Sequence, residues 1–384
     1  MALRGVKVLE IAGLAPAPFC GMILADFGAT VIRIDKGPSS SLFVDNFLSH
    51  GKLSVSLNFK HPDGIKVFKN LIKTSDVLIE PFRAGVMEKL DLGPKSLLQL
   101  NKGLIYARLS GYGQEGSLSQ KAGHDINFLS YSGVLSLLGP DNAGPLPPSN
   151  LLADFGGGGL ICALGIVLAL YEKSKTGLGQ VVDSSMTRGV AYLASWLFRS
   201  KHSYLWTQPR GQNFLDGGSF FYKTYKTKDD KWMAVGALEE KFYKDLLIGL
   251  GLREDEVPQY TEFDLGNKIF EERFKMHTQA HWINVFKDLD ACVSPVLTIE
   301  DANHLDHNVS QNTFEKSFDT GNPIPTPEPR LSKSPGQSRA SREPPPSVGE
   351  HTLKVLQSIG YSQEEILSLA KRKAIYLHIP NSNL

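Results

Sequence analysis

The sequence predicts an α/β protein: a mainly parallel sheet flanked by helices, followed by a second, smaller α+β domain. Two features of the 384 residues point there. Short β-branched runs alternate with segments of helical apolar spacing in the first half, and after about residue 220 the pattern changes to a hairpin followed by helices. A proline-rich stretch then separates this region from a final helical segment.

Taken in order, strands are expected at residues 6–11, 30–35, 77–80 and 104–109. Helices are expected between them at 19–26, 61–73 and 94–101, where apolar residues recur at helical spacing. A sheet of this kind gathers its binding groups at the carboxyl ends of its strands. The dinucleotide-binding version needs G-x-G-x-x-G after the first strand, but that turn reads Ala12-Gly13-Leu14-Ala15-Pro16-Ala17-Pro18. Prolines stand where glycines would let the backbone approach a pyrophosphate, so a nicotinamide cofactor is disfavoured and Asp35 reads as a strand-end turn residue.

The longest uncharged stretch, residues 155–171, contains four consecutive glycines and is shorter than the ~18 residues of a membrane span. It reads as a buried, glycine-packed helix, without membrane insertion. Residues 220–227 and 231–237 form a hairpin pattern around Lys228-Asp229-Asp230, with a helix starting near Glu239. Residues 317–350 hold eight of the 22 prolines, which predicts an extended connector. After it, Ser362-Gln363-Glu364-Glu365 is a capping-box pattern opening a helix that ends at Lys371-Arg372-Lys373. The domain reading is 1–219 for the large domain, 220–316 for the small one, 317–349 for the connector, and 350–384 for a return to the large domain.

Charge narrows the function. With 41 Lys+Arg against 40 Asp+Glu, the chain lacks the cationic excess that a nucleic acid or an anionic bilayer would demand, so any anion must be met by a few placed residues. Cys20, Cys162 and Cys292 form no CxxC pair, which argues against a disulfide framework and a cysteine zinc site. The N-terminus reads directly as a strand rather than a removable targeting segment. The ending Ser382-Asn383-Leu384 loosely follows the Ser-Lys-Leu peroxisomal address.

Four places could carry chemistry. In Gly123-His124-Asp125-Ile126-Asn127 an imidazole sits beside the amides of a helix start, suited to proton transfer next to an oxyanion; alternatively, Asp125 is a helix cap and His124 an incidental loop residue. Asp154, in an apolar setting before Gly156–Gly159, is either a usable acid/base group or a structural N-cap. Glu239 and Glu240 lie at a strand-to-helix junction, where acidic residues are common for dipole reasons alone. The cluster Glu300, Asp301, His304, Asp306 and His307 lacks HExxH and reads as a solvated helix rather than a metal site.

Several longer blocks carry a family resemblance. Gly21-Met22-Ile23-Leu24-Ala25-Asp26-Phe27-Gly28-Ala29-Thr30-Val31-Ile32-Arg33 resembles the N-terminal signature of the family III coenzyme A transferases. The blocks 81–90, 123–127, 150–155 and 209–218 resemble the racemase branch of that family. The resemblance implies an interlocked homodimer whose large domain is Rossmann-like and built from both chain ends. It implies acyl-CoA held by Lys36, by Leu57, Asn58, Phe59 and Lys60, by Arg83 and Lys89, and by Gly123, Asp125, Ile126, Asn127 and Phe128. It also implies that His124 and Asp154 exchange the α-proton of a 2-methylacyl-CoA thioester on opposite faces, with Glu239 tuning the histidine. No metal or redox cofactor enters, and the implied setting is branched-chain fatty acid and bile acid metabolism in peroxisomes and mitochondria.

Two departures matter. Family transferases carry a nucleophilic aspartate shortly after V-D-x-S-M, whereas Val182-Asp183-Ser184-Ser185-Met186-Thr187 leads here to Arg188, which cannot form an acyl anhydride. Phe128 stands where racemases often have tyrosine. A CoA transferase using another carboxylate and a non-catalytic acyl-CoA-binding homologue are the remaining readings.

Overall fold

The computed structural model describes residues 1–37, 46–260 and 263–378. The C-terminal Ser382-Asn383-Leu384 therefore lies outside the described residues. The chain divides into two compact units, the larger made of Met1–Ser132, Ser149–Leu193 and His307–Leu384, the smaller of Gly133–Pro148 and Ala194–Asp306.

The larger unit is organised by strands β1 (Lys7–Ile11), β2 (Thr30–Asp35), β3 (Leu53–Leu57), β4 (Val77–Glu80), β5 (Ile105–Ser110) and β6 (Val181–Ser185). They pair in parallel in the order β3-β2-β1-β4-β5-β6, the doubly wound order whose reversal between β1 and β4 opens a crevice at the strand ends. The expected strands and helices of the first half are present, within a few residues at their ends: the helices are Pro16–Asp26, Pro62–Lys73 and Pro94–Leu100, each with proline in its first turn, where a missing N–H costs nothing.

Strands β3 and β6 were not expected. In β3 the serines of Leu-Ser-Val-Ser-Leu are buried, Ser54 donating to Asp35 Oδ2 at 2.6 Å, so its polar residues mark no solvent face. β6 is an edge strand, half polar and partly exposed.

In the smaller unit β7 (Tyr222–Lys226), β8 (Trp232–Gly236) and β9 (Val293–Pro295) form an antiparallel sheet, the first two being the expected hairpin. Its core is aromatic, and two buried tyrosine hydroxyls are satisfied: Tyr225 donates to the Phe220 carbonyl and Tyr243 to that of Val257, both at 2.6 Å. This unit begins at Ala194 rather than at residue 220, and it also takes 133–148. The Arg210 guanidinium clasps the carbonyls of Pro140 and Ala143 and helps tie the two segments together. The composition change at 220 marks a strand, not a boundary.

The proline-rich stretch belongs to the larger unit and is not simply extended, because β10 (Phe314–Lys316) pairs antiparallel with β11 (Pro323–Pro325). At its end, Gly349 N–H donates to Ser54 Oγ at 2.8 Å and His351 N–H to the Ser54 carbonyl, docking the returning chain on β3. Strand β12 (Ile375–Tyr376) then pairs antiparallel with β3, and the capping box at Ser362 and Glu365 is formed in both directions.

Residues Leu151–Thr176 are helical throughout, a run long and apolar enough to cross a membrane by length and composition. Its first part is packed inside the unit, with Gly157, Gly158, Gly159, Cys162 and Ala163 buried.

Candidate active site

The loop after β5 leads to His124, and the chain before β6 supplies Asp154, so both approach the carboxyl end of the sheet. A Cβ on Gly123 would stand 2.7 Å from both the Tyr112 hydroxyl and the Phe128 ring, so only glycine lets the loop press onto this pair. The Tyr112 and Phe128 rings meet edge to face at 5.0 Å. Phe128, buried, fills the space over Gly111 and Gly123.

His124 is exposed and opens the helix Asp125–Ser132. Its N–H donates to Asn127 Oδ1 at 3.1 Å, and its carbonyl accepts from the N–H groups of Asn127 and Phe128 at 2.8 and 3.2 Å. Asn127 thus closes the turn locally, and Ile126 lies exposed beside it. Asp125 is buried, and its Oδ2 accepts from the N–H groups of Ala153 at 2.7 Å and Asp154 at 2.9 Å.

Asp154 lies in the first turn of a π-helix, Leu151–Leu160, whose wider turns are frequent at functional sites. Burial raises its carboxyl above the ordinary aspartate range. The Asn150 side chain, 3.3 Å from Oδ2, opposes that shift; the Asp125 charge adds to it and the His124 imidazole opposes it. The Asp154 carboxyl therefore feels the His124 imidazole across the site. Behind them the π-helix is wedged between helices Pro16–Asp26 and Met186–Leu193: a Cβ on Gly157 would stand 2.5 Å from the Val190 nitrogen, and one on Gly159 2.7 Å from the Pro16 carbonyl.

The other expected contacts are spread over the larger unit. Lys36 follows β2, and Lys60, Arg83 and Lys89 are exposed, Arg83 donating once to the Gln120 carbonyl at 3.2 Å. The Leu57 side chain is buried in the core, Phe59 packs edge-on to Phe68, and Asn58 is used within the fold, its amide donating to the Lys373 carbonyl at 3.0 Å. Glu239 is in the smaller unit, exposed at the N-cap of helix Glu240–Leu250. Arg188 forms a 2.7 Å ion pair with Asp183. Glu300 and Asp301 lie in one short helix, Asp306 and His307 in another, and among the described residues no three His, Cys, Asp or Glu side chains are grouped to hold a metal.

Sequence reasoning missed two contributors. Asn150, with φ of 53°, aims its amide at Asp154, and Gly189 receives the π-helix. The glycine run hinted at close packing but not at its partner.

A model of CoA-transferase family III matches residues 3–352. The chain belongs to that family. It is 54% identical to the α-methylacyl-CoA racemase of Mus musculus over 372 residues, 96% of each chain. Identity to the Homo sapiens α-methylacyl-CoA racemase is 50% over 378 residues, 98% of each. Among solved structures, a CAIB/BAIF family protein from Brucella suis superposes with a TM-score of 0.77 at 21% identity, covering 93% of this chain and 99% of that one. The last likeness concerns the family fold alone.

Proposed function

We propose that this family III member is a racemase that interconverts (2R)- and (2S)-2-methylacyl-CoA thioesters by α-proton exchange through an enolate. The observation that carries the reading is the attachment of the Asp154 amide to the residue that follows His124, which ties the turn bearing a half-buried carboxyl to the loop bearing an imidazole. The two named racemases, similar over nearly the whole chain, support it.

The chemistry follows from the groups. One of the pair removes the α-proton from one face, and the other delivers a proton to the opposite face. A single group would return the proton where it took it. Burial keeps the Asp154 carboxyl closer to the working pH than a free aspartate, which suits it to both directions. The thioester carbonyl accepts the charge as an enolate, next to the first amides of helix Asp125–Ser132, whose dipole favours an anion. This route uses no metal and no redox cofactor. Lys36, Lys60, Arg83 and Lys89 are proposed to meet the CoA phosphates, with 123–128 along the thioester and Glu239 tuning His124.

The finer parts of the reading are an interlocked homodimer, action on branched-chain fatty acid and bile acid intermediates, and residence in peroxisomes and mitochondria. An exposed apolar stripe supports the homodimer: Leu160, Leu164, Leu168 and Tyr171 lie along one face of the Leu151–Thr176 helix.

The test is incubation with one 2-methylacyl-CoA epimer in deuterated water. Deuterium at the α-carbon and the appearance of the second epimer are expected; the absence of both would sink the reading. Adding a free carboxylic acid tests CoA transfer, and no exchange of CoA between acids is expected, because Arg188 occupies the nucleophile position.

A further inference from the structure

The Asp125 side chain joins the two halves of the site, and that role differs from the substrate contact the resemblance gives its block. We infer that Asp125 is a positioning residue: its carboxylate fixes the start of the Asp154 helix to the loop bearing His124, and so sets the spacing of the proton-transfer pair.

Three observations carry this. First, the π-helix begins without a local cap, since Asn150 is left-handed and makes no capping bond. The opening amides of a helix need acceptors, and here those of Ala153 and Asp154 are both taken by Asp125 Oδ2, a residue 29 positions away from Asp154 in the chain. Second, the bonds are charge-assisted and buried: Asp125 is 5% exposed, so its carboxylate has little water to hold it and depends on these donors. Third, Oδ1 is also buried and has no hydrogen-bond partner among the described residues, so the only protein contacts satisfying the carboxylate are the two to the Asp154 turn.

Geometry turns this into function. His124 and Asp125 are consecutive, with the His124 backbone pinned by Asn127, so one side chain separates the histidine from the Asp154 amide. Inversion at one carbon needs both groups held at a fixed separation, and a misplacement of about 1 Å costs on the order of 100-fold in rate. A structural cap elsewhere in the unit would have no such leverage.

This inference rests on the racemase reading, and the test separates the two. Asp125→Ala removes the acceptor, whereas Asp125→Asn keeps one acceptor oxygen. For Asp125→Ala, kcat for α-proton exchange is expected to fall roughly 100-fold with KM changed less than about threefold, and Asp125→Asn to recover at least about tenfold of the loss. Amide hydrogen exchange supplies a readout independent of activity: the Ala153 and Asp154 amides should exchange at least about tenfold faster in Asp125→Ala, with protection largely kept in Asp125→Asn and unchanged in the sheet. Unchanged protection at both amides in Asp125→Ala would overturn the inference, as would equal loss of kcat in both variants. Should the wild-type protein exchange no α-proton, the racemase reading fails and the amide measurement alone decides the role of Asp125.

Discussion

A methyl group added to Gly189 would stand 1.9 Å from the carbonyl oxygen of Gly157. Backbone meets backbone there, so no side chain can yield. This contact seats the π-helix on helix Met186–Leu193, and with it the turn carrying Asp154. Gly189→Ala should therefore displace the helix, lowering stability by about 1–3 kcal/mol and α-proton exchange far more than the stability loss explains. Gly144→Ala, where an added Cβ meets nothing within 4 Å, should change neither. Melting temperatures and deuterium incorporation measure the difference; a fully active Gly189→Ala would refute the packing argument.

The buried pair Glu10 and Lys52 leads to a second prediction. Both side chains are fully buried, and the Lys52 ammonium spends its donors on Glu10 Oε2 at 2.7 Å, Oε1 at 3.0 Å and the Pro18 carbonyl at 2.8 Å. Lys52→Met leaves an uncompensated carboxylate in the core and should cost about 3–5 kcal/mol. The double change Glu10→Leu with Lys52→Met should be less destabilised than Lys52→Met alone. Urea unfolding of the three variants tests this, and simple additivity would count against it.

Apolar periodicity marked the strands β1, β2, β4 and β5, because their burial comes from their own residues. It passed over β3, whose serines are buried by bonds to Asp35 and to the returning chain, partners 19 and 295 residues away. At the site, His124 and Asp154 were visible as chemistry-bearing residues in unusual surroundings. Their junction was not, because the Asp125 carboxylate that makes it looks in sequence like an ordinary first-turn acid. The π-helix was equally hidden: four glycines announce close approach but name no neighbour.

Asp26 carries a pH prediction. It is buried beside the docked chain, its Oδ1 accepting from the Arg339 N–H at 3.1 Å, and burial pushes its carboxyl from 3.8 up to about 6. Because the folded state holds the proton more tightly than the unfolded one, its contribution is fully present below pH 3.8 and is lost as pH rises through about 6. That interval corresponds to up to roughly 3 kcal/mol. Asp26→Asn keeps an acceptor for Arg339 without the charge. It should be more stable than wild type above pH 6, with the gap closing in acid. Denaturant titrations at several pH values would show it, and parallel curves at every pH would contradict the assignment.

The proposed homodimer makes the last prediction. Leu160, Leu164, Leu168 and Tyr171 are 49, 49, 60 and 64% exposed, and their spacing places them on one face of the long helix. A carboxylate on that face costs little if it meets water and a great deal if a second copy covers it. Leu168→Glu should therefore leave the larger unit folded, since the side chain is mostly outside its core, while shifting sedimentation from dimer to monomer. If Glu239 of one copy serves His124 of another, α-proton exchange should fall with the dimer fraction and recover at high protein concentration. A Leu168→Glu protein that sediments and catalyses like wild type would show that this face stays open to solvent.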